Sequence, residues 1–253
     1  TLLHGQNCNF PAPVITTDFT SQCILYDDKH DPIPDPNLCW KVCENGQEGY
    51  HIQPVTGHTY VWTVGGGGIL SGQGTTDIEV LWNVAGSGVV QVTQTDATGC
   101  SISVEHCITI IPTPEAFFTT QPFNDSQTNQ VLQVCSGTTV HFLGHVKQAS
   151  VQSPIASWYW DFGDPASGND NTSTDQDDNH IFTLPGSYQV QLTITNQCGC
   201  TATAYMIIEV TPDEAVEIQC PTPVCEGASD TYSVNVQCPP QQGGQYLWTI
   251  SPP

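Results

Sequence analysis

The sequence predicts an all-β chain of tandem two-sheet sandwiches cross-linked by disulfides. Three observations carry the prediction. A Val-Cys…Trp pattern returns about every ninety residues. Short segments alternate apolar and polar residues between Gly, Asn, Asp and Pro clusters, the signature of half-buried strands joined by turns. Twelve cysteines, an even number, are spread through the 253 residues, while no stretch carries apolar residues at helical spacing.

The repeat sets the domain organisation. KVCENGQEGY…HTYVWTV, QVCSGTTVHF…ASWYWDF and PVCEGASDTY…QYLWTI align, and Cys43, Cys135 and Cys225 stand 92 and 90 residues apart. Trp62, Trp160 and Trp248 occupy equivalent places in alternating segments, so they read as core rather than as an exposed aromatic platform. A Gly-Cys at Cys100 and a Cys-Gly-Cys ending at Cys200 precede the last strands SISVEHCITII and TATAYMIIEV, each followed by a proline. The predicted domains are 34–111, 112–211 and the first part of a third at 212–253. Residues 1–33 match no repeat and read as a Pro-rich linker or the remnant of a preceding domain.

Within repeat one, HTYVWTV, TDIEVLW and GVVQVTQ alternate well; in repeat two SYQVQLTIT places Tyr188, Val190, Leu192 and Ile194 on one face. About seven strands in ninety residues is the size of an immunoglobulin-like sandwich, in which a buried Trp lies against an inter-sheet disulfide. That order of Cys, Trp and Cys predicts Cys43–Cys100 and Cys135–Cys200, each worth roughly 4 kcal/mol through loop closure. Cys39–Cys107 is a second bridge in repeat one and Cys8–Cys23 a local one, while Cys198, Cys220, Cys225 and Cys238 stay unassigned. A zinc site would need paired C-x-x-C spacings, which are absent.

The charge narrows the partners. Twenty-five acidic residues against Lys29, Lys41 and Lys147, with no arginine, give a net charge of −22. Such a surface repels nucleic acid and anionic membranes, and no transmembrane run occurs for insertion. Cysteine content and the scarcity of tryptic sites point to an extracellular or cell-surface setting. The chain opens on Thr1, not Met, with no signal-peptide pattern, and reads as a piece of a longer protein.

Chemistry-bearing motifs are weak. Asp161 and Asp164 in WYWDFGDP would need to flank a cleft to cut a glycoside, yet Asp164 follows Gly163 at a turn, where Asx hydrogen bonding is the usual role. The insertion from Asp164 to His180 offers hard oxygen donors at Asp170, Asp175, Asp177 and Asp178, a calcium reading without EF-hand spacing; a solvated loop is the plainer one. His141 and His145 in HFLGH lie on a strand-like segment with no third ligand in view. Gly65 to Gly68 lack the Lys and following helix of a phosphate loop.

WDFGD, Trp160 to Asp164, followed by LPGSYQVQLTITNQCGC, resembles the polycystic-kidney-disease (PKD) domain, an immunoglobulin-like sandwich, over about residues 113–210. It departs where Pro165, in place of the family's Gly, opens a long insertion. TYVWTVGGGGILSGQGTTDIEVLW in repeat one, and repeat three, are similar to PKD-like domains common in secreted Bacteroidetes proteins. The resemblance implies that Trp160, Asp161, Gly163 and Asp164, like Trp62 and Trp248, are structural and that the domain is not an enzyme. It implies a structural or adhesive region of a large surface protein, such as a gliding-motility-type adhesin, or of an extracellular filament. Expected partners are other repeats, a homopolymeric filament, or surface glycans or proteins; expected cofactors are none apart from calcium. The second reading is a carbohydrate- or protein-binding spacer of a secreted hydrolase. Exposed aromatics on one sheet face, with Trp158 and Trp40 the candidates, would favour recognition over spacing.

Overall fold

The computed structural model describes residues 2–5, 8–18, 23–27, 29–35, 37–147 and 153–212. The third repeat, with Trp248, Cys220, Cys225 and Cys238, lies outside the described residues. The strands, in chain order, are β1 (Leu2–Gly5), β2 (Thr16–Thr17), β3 (Trp40–Cys43), β4 (Gln47–His51), β5 (Thr59–Gly65), β6 (Gly67–Ser71), β7 (Asp77–Trp82), β8 (Gly86–Thr95) and β9 (Ser101–Ile111). They continue with β10 (Glu115–Gln121), β11 (Asn124–Asp125), β12 (Val131–Cys135), β13 (Thr139–Lys147), β14 (Ile155–Asp161), β15 (Thr172–Ser173), β16 (Asp177–Ile181), β17 (Gly186–Asn196) and β18 (Thr201–Thr211). A short 3-10 segment covers Pro165–Asn171. Among the described residues no helix is long and apolar enough to cross a membrane.

Two sandwiches result. In the first, β1–β9–β8–β5, with β3 also on β9, covers β2–β4–β7–β6. In the second, β12–β18–β17–β14–β15 covers β11–β10–β13–β16. The architecture is all-β and immunoglobulin-like, as the alternation predicts. By density of contacts the chain forms two compact units: 1–116 with 146–158 and 193–203, and the remainder. The first core joins Trp62, Val90, Val92, Val104 and Ile108 of one sheet to Tyr50, Ile78, Val80 and Trp82 of the other. In the second, Phe118 and Phe142 meet the Trp160 ring at centroid distances of 5.0 and 5.6 Å. Burying such side chains yields about 1.5–3 kcal/mol each, which is why an alternating strand is held in one register.

The repeat extends to detail. β3 runs parallel to the end of β9, with Cys43 beside Ile111, and β12 runs parallel to the end of β18, with Cys135 beside Thr211. The turns into β9 and β18 are alike. Asp96 Oδ1 accepts from the amides of Thr98 and Cys100, and Asn196 Oδ1 accepts from those of Cys198 and Cys200. Trp62 Nε1 donates to the Thr75 carbonyl at 2.9 Å, and Trp160 Nε1 to that of Asp175 at 3.0 Å.

The disulfides correct the sequence expectation. The bonds are Cys8–Cys100, Cys23–Cys198, Cys39–Cys107 and Cys43–Cys200, and Cys135 is also disulfide-bonded. Cys43–Cys100, Cys135–Cys200 and Cys8–Cys23 do not form. The reason is strand geometry. Cys43 lies at the far end of β9 while Cys100 precedes its start, so the strand's eleven residues put about 35 Å between them. Cys135 and Cys200 are separated in the same way along β18. Bridged cysteines need α-carbons within about 7 Å.

The N-terminal segment is likewise not a separate piece. β1 pairs antiparallel with β9, β2 pairs with β4, and Ile15 joins the first core. The Cys8–Cys100 bond pins the segment between those strands.

Candidate functional site

The WDFGD turn is a closed hydrogen-bond network. Asp161 Oδ1 accepts from the Gly163 amide at 2.9 Å and from Asn171 Nδ2 at 3.1 Å, and Asn171 Oδ1 accepts from the Asp164 amide. Gly163 adopts φ +68°, and a Cβ there would stand 2.6 Å from the Gln189 carbonyl oxygen, so the turn admits only glycine without strain. Asp164 is buried, and its Oδ2 lies 3.1 Å from Nε2 of the equally buried His180. Phe162 stacks on the His180 ring at 4.5 Å and Phe182 meets it edge-on at 4.6 Å. Tyr188 OH donates to the Leu184 carbonyl, tying the start of β17 to the same corner. An Asp–His pair enclosed by aromatic rings reaches no substrate. Its chemistry is to satisfy two buried polar groups.

The acidic insertion is spent on local structure. The Asp175 carbonyl receives the Trp160 indole, Asp177 Oδ1 accepts from the Gly144 amide at 3.0 Å, and Asp178 Oδ1 from that of Asn179. Asp170 stands exposed in the 3-10 segment. Among the described residues no three His, Cys, Asp or Glu side chains gather to hold a metal. Asp177 and Asp178 lie on β16 with successive side chains on opposite faces, and Asp170 sits in a separate segment. His141 and His145 share a face of β13 but take different partners, Asn179 and Thr119. Gly65–Gly68 spans the end of β5 and the start of β6, with no helix after it.

Of the two tryptophans expected to mark a recognition face, both are half-buried. Trp40 stacks against His106 at 3.7 Å and Tyr50 at 5.9 Å. Among the described residues the exposed aromatics on strands are instead Tyr159 and Tyr205, 45% and 44% accessible.

One polar cluster has no local sequence signature. His51 on β4 bridges two carboxylates, with Nδ1 2.8 Å from Asp77 and Nε2 3.0 Å from Asp18. Thr76 Oγ1 donates to the other oxygen of Asp77 at 2.6 Å. Gly49 makes the space: a Cβ there would lie 2.5 Å from Asp18 Oδ2 and 3.2 Å from His51 Nε2. The Asp77 hydrogen bond raises the His51 pKa against the opposing effect of burial, with Asp18 adding to the rise. Neighbouring Glu48 is pushed up to about 7 by burial and then by the charges of Asp18 and Glu79.

Comparison with known proteins places two segments. Residues 120–211 match the family described as PKD domain, and residues 29–110 the family described as PKD-like domain. Nothing among curated proteins matches the chain. Among solved structures, the PKD1 domain from the Vibrio cholerae metalloprotease PrtV is 28% identical, covering 39% of this chain and 96% of that one at a TM-score of 0.29. A C-terminal fragment of intimin, solved in complex with the intimin-binding domain of its translocated receptor, is 11% identical, covering 82% and 67% at 0.40. Bacteroides ovatus SGBP-B, solved with a mixed-linkage heptasaccharide, is 14% identical, covering 80% and 48% at 0.28.

Proposed function

We propose that these tandem PKD-type sandwiches form a non-catalytic structural and adhesive region of a larger secreted or cell-surface protein, or of an extracellular filament. The proposal includes a domain division near 34–111 and 112–211, with a third sandwich beginning at 212. The observation that carries it is the set of four disulfides whose partners lie 68 to 175 residues apart. Bonds that close such long loops persist only in an oxidising compartment, and they resist the unfolding that an exposed surface module meets. The charge of −22 keeps copies soluble and apart. The finer reading, a gliding-type adhesin repeat, is supported by the likeness of TYVWTVGGGGILSGQGTTDIEVLW to domains of that setting.

The test is thiol titration and turnover on the full chain. We expect no reactive thiol before reduction, and no release of sugar, peptide or phosphate from polymeric substrates. Turnover that survives purification, or several free thiols in secreted material, would overturn the reading.

A second reading, an accessory binding region of a secreted hydrolase, is favoured by one observation, the outward-facing Tyr159 and Tyr205. The two readings share the binding role and differ in what the remainder of the gene encodes.

A further inference from the structure

Three Asp–Pro bonds occur in the chain: Asp31–Pro32, Asp35–Pro36 and Asp164–Pro165. Proline makes each a tertiary amide, whose nitrogen carries no N–H and takes up a proton more readily than an ordinary peptide nitrogen. The aspartate before it carries a carboxylate that closes a small ring onto its own carbonyl carbon. A nucleophile held in the same residue replaces a bimolecular encounter. All three bonds share this chemistry, so their surroundings decide between them.

The surroundings of Asp164–Pro165 differ from those of the other two. The Asp164 carbonyl oxygen accepts twice, from the Ser167 amide at 3.0 Å and from the Ser167 hydroxyl at 2.7 Å. Both donors polarise the carbonyl and face the oxygen on which charge develops when its carbon is attacked. The Asp164 side chain is buried, with Oδ2 3.1 Å from His180 Nε2, and among the described residues no hydrogen bond is made to Oδ1. Pro165 is exposed, so the leaving side of the bond opens to water. Asp31, by contrast, is exposed, and its carbonyl accepts from the Asp27 amide at 3.0 Å. Asp35 spends both carboxylate oxygens, one on the Cys39 amide at 3.3 Å and the other on the Lys41 ammonium at 2.9 Å.

We propose that the folded chain cuts its own Asp164–Pro165 bond, with the Asp164 carboxylate as nucleophile, His180 as proton carrier and Ser167 as the donor to the carbonyl oxygen. Asp164 Oδ1 bonds to the Asp164 carbonyl carbon, and the negative charge moves onto the oxygen held by Ser167. The C–N bond to Pro165 then breaks. Its electron pair stays on nitrogen, which takes the proton held between His180 and Asp164. Water opens the cyclic anhydride left at Asp164 and returns a proton to the pair. The balance is one peptide bond and one water converted to the Asp164 α-carboxyl and the Pro165 secondary amine, with nothing oxidised or reduced. This is one event per molecule without an outside substrate, so it adds to the structural role proposed above and does not replace it. Cys23–Cys198 and Cys43–Cys200 join residues on either side of the cut, so the two parts stay linked until those bonds are reduced.

Mass spectrometry of the full chain, incubated at neutral pH with protease inhibitors until the first Asp–Pro bond breaks, tests this. The unreduced protein should gain the mass of one water and remain whole. Reduction should then release 1–164 and 165–253, with Pro165 as the new N-terminus. Cutting at Asp164–Pro165 should run about tenfold or more ahead of Asp31–Pro32 and Asp35–Pro36, and urea should erase that lead. Ser167→Ala should slow it about tenfold or more. Pro165→Ala, an exposed site checked for native near-ultraviolet circular dichroism, should stop it. If either of the other two bonds breaks first, or all three break together in the folded chain, the proposal falls. A Pro165→Ala variant cut like the parent would reveal a contaminating protease and sink it as well. Equal rates for Ser167→Ala and the parent, or for folded and urea-unfolded parent, would show that the fold does not activate the bond.

Discussion

Nε2 of His180 lies 3.1 Å from Oδ2 of Asp164, and both side chains are buried between Phe162 and Phe182. The pair fastens the WDFGD turn, which follows β14, to β16. Removing one partner strands the other away from water, a loss of about 3 kcal/mol in a site this enclosed. Asp164→Ala should therefore lower the urea midpoint of the second sandwich strongly. Asp164→Asn, which keeps an oxygen facing the ring, should cost about half as much. Equal midpoints for Asp164→Ala and the parent would show that the pair has no structural role.

Gly163 offers a sharper probe of the same turn. Its φ of +68° and the 2.6 Å approach of a Cβ to the Gln189 carbonyl both penalise any side chain. Gly163→Ala should destabilise by about 2 kcal/mol or more, read by thermal melting. Gly168→Ala, also at positive φ but with open space around it, should cost less than half of that.

How much of this was legible follows residue by residue. Trp62 and Trp160 were readable as core because alternation alone fixes which face a strand buries. The outward direction of Tyr159 was in principle readable from the same alternation, since it adjoins Trp160. That Tyr205 opens on the same sheet face was not, because that needs the strand order β18–β17–β14. Cysteine pairing was misread for a related reason. The parallel docking of β3 and β12 at the far ends of β9 and β18 is a tertiary fact, and it moves Cys43 and Cys135 away from Cys100 and Cys200. The His51 cluster left no trace, since Asp18 and Asp77 lie on either side of it at long range and Gly49 reads as an ordinary glycine.

That cluster makes its own contribution to the pH dependence of the first sandwich, opposed there by His106, whose pKa burial lowers. A histidine with a raised folded pKa adds stability below its unfolded value near 6.5, and loses it as pH rises through the folded value. Glu48, raised from 4.5 to about 7, adds stability below 4.5 that is lost as pH rises through 7. The groups around them are Asp18 beside β2 and Asp77 and Glu79 on β7, all acidic, so nothing compensates once His51 loses its proton. The sum is about 1 kcal/mol after screening by water, because His51 is a third exposed and its partners more so. Relative to His51→Gln, the parent's melting temperature should fall by a few degrees more between pH 5 and pH 8. His51→Gln should flatten the upper part of that fall, and Glu48→Gln the part between 4.5 and 7. A His51→Gln variant whose melting temperature changes with pH just as the parent's does would contradict the assignment.

The disulfides make the last prediction, and it separates the structure from the sequence expectation directly. Cleavage without reduction, at the acidic residues that dominate this chain, should release peptides joined through Cys8–Cys100, Cys39–Cys107, Cys23–Cys198 and Cys43–Cys200. A peptide joining Cys43 to Cys100 should be absent from the mass spectrum. Energetically, closing loops of this length stabilises by about 4–5 kcal/mol per bond in the chain-entropy model. The Cys23–Cys198 and Cys43–Cys200 bonds share an apolar cluster with Leu25 and Ile111. Losing Cys43–Cys200 should therefore loosen the packing around Cys23–Cys198 as well. Cys43→Ser with Cys200→Ser should lower the melting temperature by ten degrees or more, roughly what loop closure alone implies. The pair Cys39→Ser with Cys107→Ser closes the shortest of the four loops and lies outside that cluster, so it should cost less. The reverse order of the two losses would show that the Leu25–Ile111 cluster adds nothing to the bonds it surrounds.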